Sequence, residues 1–171
     1  MSEVKNNPLL DHAGVRRVRE ALAVRGAGER VIALSDAVRT AQQAADALGC
    51  EVGAIVKSLV FSADSQNGER RAVMALVAGD RQCDLAALGR ALGLDVPPKR
   101  ADADLVRQAT GFAIGGVAPL GHAERLPIAV DVSLTRFERL HAAAGHPNAV
   151  FPLTYEELLA WTGGVAAELG K

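Results

Sequence analysis

Three short stretches hold the residue types that can do chemistry. Residues 54–61, AIVKSLVF, set Lys57 and Ser58 inside an apolar run; residues 110–122, TGFAIGGVAPLGH, join four glycines and a proline to His122; residues 126–134, LPIAVDVSL, place Asp131 between valines. An ammonium on an apolar strand face is paired, snorkels to water, or serves a ligand. Glycine amides can stabilise the negative charge that develops on a carbonyl oxygen under attack. The other reading of the same glycines is a connection that needs positive φ and a stiffening proline. Asp131 either caps a turn or faces a ligand. Together the three stretches supply the parts of a small site for an anionic or ester-bearing ligand.

Other chemistries find little support. His12, His122, His141 and His146 make no H-E-x-x-H or Cys/His cluster, and at helical spacing His141 and His146 lean to opposite sides. No metal and no cofactor is expected. A serine nucleophile lacks its G-x-S-x-G setting, and a triad of Ser58, His122 and Asp131 would have to assemble from distant parts. Cys50, after a helix-stopping glycine, fits a small half-buried hydrophobe better than a nucleophile.

Composition sets the frame. With 171 residues and a formal net charge of −1, any nucleic-acid partner must be met by a local patch and not by a basic whole. Two cysteines cannot make a disulfide framework, and no apolar run approaches the roughly 18 residues of a membrane span. The N-terminus lacks the pattern of a secretory signal. A soluble chain in the reducing cytoplasm is expected, with no membrane association.

The elements that must position these residues follow from periodicity and caps. Val15, Val18 and Leu22 mark a first helix that stops near Gly26. RVIALS is strand-like. Thr40 and Gln43 form a capping box for a helix ending at Gly49. Alternation in AIVKSLVF puts Ile55, Lys57, Leu59 and Phe61 on one face and Val56, Ser58 and Val60 on the other, and AVMALVAG returns as an antiparallel partner. Asp84 and Asp102 cap two further helices that stop at Gly93 and Gly111. The glycine-rich stretch therefore begins where a helix ends, unlike a phosphate loop that opens one. Thr154 and Glu157 cap a last helix, after which VAAELGK is expected to fray. The fold class is α+β: a single domain of one mixed sheet with helices, in which an N-terminal helical segment over 1–30 packs on the main body over 31–171.

In order and spacing, TAQQAADALGCEVGAIVKSLVF, LVAGDRQCDLAALGRALG, TGFAIGGVAPLGH and IAVDVSL resemble the YbaK/ProX family of aminoacyl-tRNA deacylases, whose domain also occurs inserted in bacterial prolyl-tRNA synthetases. The match runs from about Val31 to Thr162. The resemblance implies a curved, barrel-like mixed sheet around a pocket that hydrolyses the ester of mischarged tRNA, with tRNA-Pro carrying a small non-cognate amino acid the first candidate. It implies Lys57, Gly115 and Gly116 as the catalytic set. Thr40, Ser58, Phe112, Ile114, Val117, Pro119, Gly121, His122 and Asp131 are then substrate-binding candidates. Ala118 stands where the family has proline or serine, which leaves substrate choice open. Water is the expected nucleophile, and His122 or the substrate's own ribose hydroxyl the base. Ile55, Leu59, Phe112 and Ile114 are candidate sieves, and Arg39, Arg100 and Arg136 candidate acceptor-stem contacts. The partners are the acceptor end of mischarged tRNA and a synthetase or elongation factor. A non-catalytic tRNA- or synthetase-binding module, or a different ester or amide hydrolase on the same fold, stands as the alternative.

Overall fold

The structure is a computed structural model and describes residues 7–171. The first six residues, and the signal-peptide reading that rests partly on them, lie outside the described residues. Helix α1 (Ala13–Ala23) starts where His12 Nδ1 accepts the Gly14 N–H, and it buries Val15, Val18 and Leu22 completely. Helix α2 (Ala41–Leu48) has the full Thr40–Gln43 capping box. Asp84 caps α3 (Leu85–Leu92) and Asp102 caps α4 (Ala103–Thr110), each carboxylate accepting first-turn amides that no intrahelical carbonyl can reach. The Thr154–Glu157 box opens α5 (Tyr155–Thr162).

The strands are β1 (Ile32–Ala33), β2 (Ile55–Asp64), β3 (Arg70–Ala78), β4 (Lys99–Arg100), β5 (Ile128–Asp131), β6 (Leu140–His146), β7 (Ala149–Leu153) and β8 (Val165–Ala167). They form one mixed sheet in the order β1-β7-β6-β2-β3-β5-β8, with β4 paired to β2. The β2–β3, β6–β7 and β1–β7 pairs are antiparallel, whereas β2–β6, β3–β5 and β5–β8 are parallel. Strands β1 and β8 form the two edges.

Strand periodicity divides the core. Val56, Met74, Leu76, Ala78 and Val130 point into the main cluster with α1, Phe112, Val117, Ala118, Leu120 and Phe151. Val73, Ala75, Val77 and Ala129 point the other way, against Leu88, Leu169, Leu59 and Phe61. At roughly 1.5 to 3 kcal/mol per fully buried large apolar side chain, each layer contributes substantially to stability.

Three expectations need correction. RVIALS yields only the two residues of β1, because Leu34 leaves the ladder after donating to Asn148 O. Residues 140–146 form a strand, so His141 and His146 are strand positions and not helical ones. The C-terminus does not fray: β8 pairs with β5, Leu169 is fully buried, and Gly170 bridges to Cys83.

One junction governs the placement of α1. A Cβ added to Gly14 would overlap the Gly145 carbonyl, and one added to Gly145 would overlap the Gly14 backbone. Gly145 also has φ +90°, where side chains are strained by about 1–3 kcal/mol. Gly145→Ala is therefore expected to destabilise the protein by at least about 2 kcal/mol, strain and overpacking acting together. Chemical denaturation checks this; an unchanged midpoint would show that α1 does not depend on the contact.

Candidate functional site

The Gly14–Gly145 junction opens onto a cleft of about 490 Å³, within the range of small-molecule sites. Its walls come from three separated parts of the chain. The start of α1 gives His12, Ala13, Gly14 and Arg17; the end of α4 and the following loop give Arg107 and Gly111 through Ile114 with Gly116; the β6–β7 turn gives Gly145, His146 and Pro147. Among the described residues no aspartate or glutamate lines it. Gly116 is a packing glycine here, since a Cβ would lie 2.8 Å from His146 Cα.

The two histidines stand edge to face with ring centroids 4.9 Å apart. Each Nδ1 accepts a backbone amide, His12 from Gly14 at 3.1 Å and His146 from Asn148 at 3.0 Å. The proton of each neutral ring therefore sits on Nε2, which makes Nε2–H a donor rather than a base. Burial, and secondarily the neighbouring His12, hold the His146 pKa below the ordinary histidine value. In the loop, the Gly116 N–H donates to the Ala113 carbonyl at 3.1 Å. Among the described residues the Gly115 and Val117 amides have no hydrogen-bond partner.

Of the residues singled out in the sequence, Phe112, Ile114 and Gly116 line the cleft, and Gly115 adjoins it with a Cβ position 3.5 Å from Pro147. Phe112 is a buried wall and Ile114 an exposed rim. Val117 is buried beneath the loop, as is Pro119; Gly121 packs against α1. His122 donates from Nε2 to the Ala118 carbonyl at 2.7 Å and packs on Phe112, with burial pushing its pKa down. Thr40 has its hydroxyl on the Gln43 amide and is exposed at the helix cap.

Lys57 does not line the cleft. Period two puts it on the sheet face of Val77, its cross-strand partner, while the glycine loop packs into the cluster on the opposite, Val56 face. Its Nζ donates to the Arg81 carbonyl. Asp131 shares the Lys57 face, one step beyond the Leu76–Val130 pair, and caps the turn after β5 by accepting from Ser133 Oγ at 2.6 Å and from the Ser133 and Leu169 amides. The capping reading of Asp131 is thus the one observed, and the single pocket joining Lys57 to Gly115 and Gly116 is not. Ser58, on the other face, has a buried hydroxyl without a partner. Ile55 and Leu59 pack in other clusters, away from Phe112 and Ile114. Arg136 is held bidentately by Asp80, at 2.8 and 2.9 Å. Burial pushes the Cys83 thiol up to about 11, with Asp84 and Asp131 adding, so it is protonated and unreactive at neutral pH.

Residues 35–160 match the sequence profile of the aminoacyl-tRNA editing domain. The chain belongs to the aminoacyl-tRNA editing domain family. Protein YwhH of Bacillus subtilis (strain 168) is 32% identical over 119 residues, 70% of this chain and 72% of that one. The Enterococcus faecalis (strain ATCC 700802 / V583) protein named "Putative Cys-tRNA(Pro)/Cys-tRNA(Cys) deacylase EbsC" is 28% identical, covering 76% of each chain. A crystal structure described as "a putative trans-editing enzyme for prolyl tRNA synthetase" superposes with TM-score 0.83 at 44% identity, over 93% of this chain and 98% of that one.

The editing domain's cleft also contains residues that the sequence reading missed. His12, Gly14 and Arg17 lie before the family match begins, in the segment read as an N-terminal helix packed on the domain. Arg107 was an ordinary exposed position on a helix. Gly145, His146 and Pro147 had a signal in the G-H-P-N run, a turn sequence between two strands, which the helical reading of 141–146 hid.

His122, His141 and His146 all have pKa values lowered chiefly by burial. Below about pH 6.5 the unfolded chain then binds more protons than the folded one, so their stabilisation is complete above that pH and is lost as pH falls toward the folded values. Denaturation from pH 8 to 5 should show stability declining below about 6.5, each histidine contributing at most about 1.4 kcal/mol per pH unit. Stability that rises on acidification through this window would contradict the burial of these rings as neutral species.

Proposed function

We propose that this editing domain hydrolyses the ester joining a small non-cognate amino acid to the 3′-terminal adenosine of a tRNA, with tRNA-Pro the first candidate. The observation that carries the reading is the cleft walled by loop and turn backbone and, among the described residues, free of acids, in a chain of the editing family. An aminoacyl ester is the electrophile, water the nucleophile, and the tetrahedral oxygen the site of developing charge. The Gly115 amide and the His146 Nε2–H are the donors we assign to that oxygen; the Gly116 amide is already engaged with Ala113. No side chain at the cleft is a free base in its neutral form, so the vicinal ribose hydroxyl of the substrate is assigned the proton transfer. Phe112 and Ile114 give the aminoacyl side chain an apolar wall and rim.

Lys57, the lysine that the family resemblance singles out, remains part of the proposal. Its bond to Arg81 occupies one of three ammonium donors, and among the described residues it has no ion-pair partner. The half-buried ammonium thus keeps two donors available to an incoming anionic strand.

The test is a panel of tRNA-Pro charged with alanine, cysteine, serine or proline, assayed for release of the amino acid. Cleavage of at least one small non-cognate ester in preference to Pro-tRNA-Pro is expected. His146→Ala should lower kcat about a hundredfold, as loss of an oxyanion donor does. Lys57→Ala should lower kcat/KM about tenfold or more. Binding of these tRNAs without cleavage of any would replace the enzyme with a recognition module, and parental rates in Lys57→Ala would remove the lysine from the reaction.

A further inference from the structure

We infer that Arg17 and Arg107 form a clamp for the phosphodiester on the 5′ side of the terminal adenosine, so that the N-terminal helix, outside the family match, completes the substrate site. This rests on the function proposed above. Both arginines line the one cleft, and among the described residues no carboxylate shares it. The chain has nearly balanced charge, and four of its other surface cations are ion-paired: Arg30 with Glu157, Arg70 with Asp102, Lys99 with Asp64 and Arg136 with Asp80. Among the described residues Arg17 and Arg107 have no such partner.

Arg17 is also held in place without being neutralised. Its guanidinium lies directly over Gly111, where a Cβ would overlap it, and its Cζ is 6.0 Å from the Phe112 ring centroid. Gly111 has φ +81° as the stop of α4, so the same glycine ends the helix carrying Arg107 and makes room for Arg17. A pre-oriented planar fork is suited to phosphate oxygens, which it meets with paired charge-assisted hydrogen bonds.

The substrate's chemistry selects the anion. The amino acid's carboxylate is tied up in the ester and its amine is cationic, so the anions of an aminoacyl-tRNA end are phosphodiesters. An ester seated at Gly115 and His146 leaves the phosphate of the same nucleotide as the nearest negative charge.

The experiment compares adenosine 5′-monophosphate, adenosine and inorganic phosphate as probes, by titration calorimetry on the full chain. Wild type is expected to bind the monophosphate at least tenfold more tightly than adenosine or phosphate alone. Arg17→Gln with Arg107→Gln should abolish that preference. Arg16→Gln, on the same helix but beside Glu20 and Glu29 in a different surface depression, should retain it. With mischarged tRNA, the double variant should raise KM about tenfold to a hundredfold and leave kcat within about twofold, and a denaturation midpoint near wild type shows that it folds. No preference for the monophosphate in wild type, retention of the preference in the double variant, or phosphate binding as tightly as the nucleotide would each overturn the clamp. A wild-type protein that prefers the monophosphate yet cleaves no mischarged tRNA would instead overturn the deacylase reading and leave the arginine site standing.

Discussion

The site depends on a contact between bare backbones. Gly14 at the start of α1 and Gly145 at the end of β6 approach so closely that neither tolerates a Cβ, and one residue on, His146 carries Gly116 against it in the same way. Three segments meet at that stack, the first of them about a hundred residues or more before the other two. Such closeness excludes side chains from the junction and leaves the cleft beside it lined by main chain, with a few side chains entering from the margins. A methyl group anywhere in the stack would push one wall away from the others, so the same glycines set both the packing of α1 and the width of the cleft.

Around that stack the electrostatics are arranged by what is missing as much as by what is present. Backbone amides fix both cleft histidines through Nδ1, so each neutral ring shows a donor to the cavity, and burial opposes the charging of His146. Among the described residues the arginines enter without carboxylate companions. The two Nε2–H donors and the two arginines at the cleft therefore favour an electron-rich guest, and the cleft needs no excess of positive charge on the whole molecule to achieve it. Long-range attraction to nucleic acid is correspondingly weak, which fits recognition of a strand end better than tracking of a duplex.

Much of the fold was legible in the sequence because its punctuation is local. Asp84, Asp102 and the Thr40 and Thr154 capping boxes act within one turn, and the alternation of residues 55–61 fixes the two faces of β2 wherever the strand sits. Strand β6 was not legible. LHAAAGH has one large apolar residue and no β-branched one, and it becomes a strand only because β2 and β7 flank it. The tail after α5 is ordered for the same reason, by β5 and by the cover it gives Asp131 and Cys83. Of the candidate site, the glycine loop and its apolar residues Phe112 and Ile114 could be located, since glycine spacing is a local signal. Alternation also implied that Lys57 and Val56 face opposite ways. Which face the loop would cover is a long-range property, and it turned out to be the Val56 face. His12 and Arg17 carried no signal at all, because a helix packed by Val15, Val18 and Leu22 looks the same whether or not its first turn borders a cavity.

The composition of the cleft bears on how an editing site could select by size. Attraction is a blunt discriminator: one methylene in an apolar pocket changes binding by about 1–3 kcal/mol, and always in favour of the larger guest that still fits. A site that must pass small side chains and refuse larger ones has to rely on overlap, and overlap discriminates only where the wall cannot yield. Phe112 meets that condition. It is buried, its amide is held by the Thr110 hydroxyl, and His122 packs on its ring. Ile114 does not, since it is exposed at the rim. A rigid floor with a yielding rim limits how deep a side chain can go while leaving the entrance permissive, so the proposed reaction assigns refusal of bulk to Phe112 and the groups that brace it, at a distance from the atoms that react.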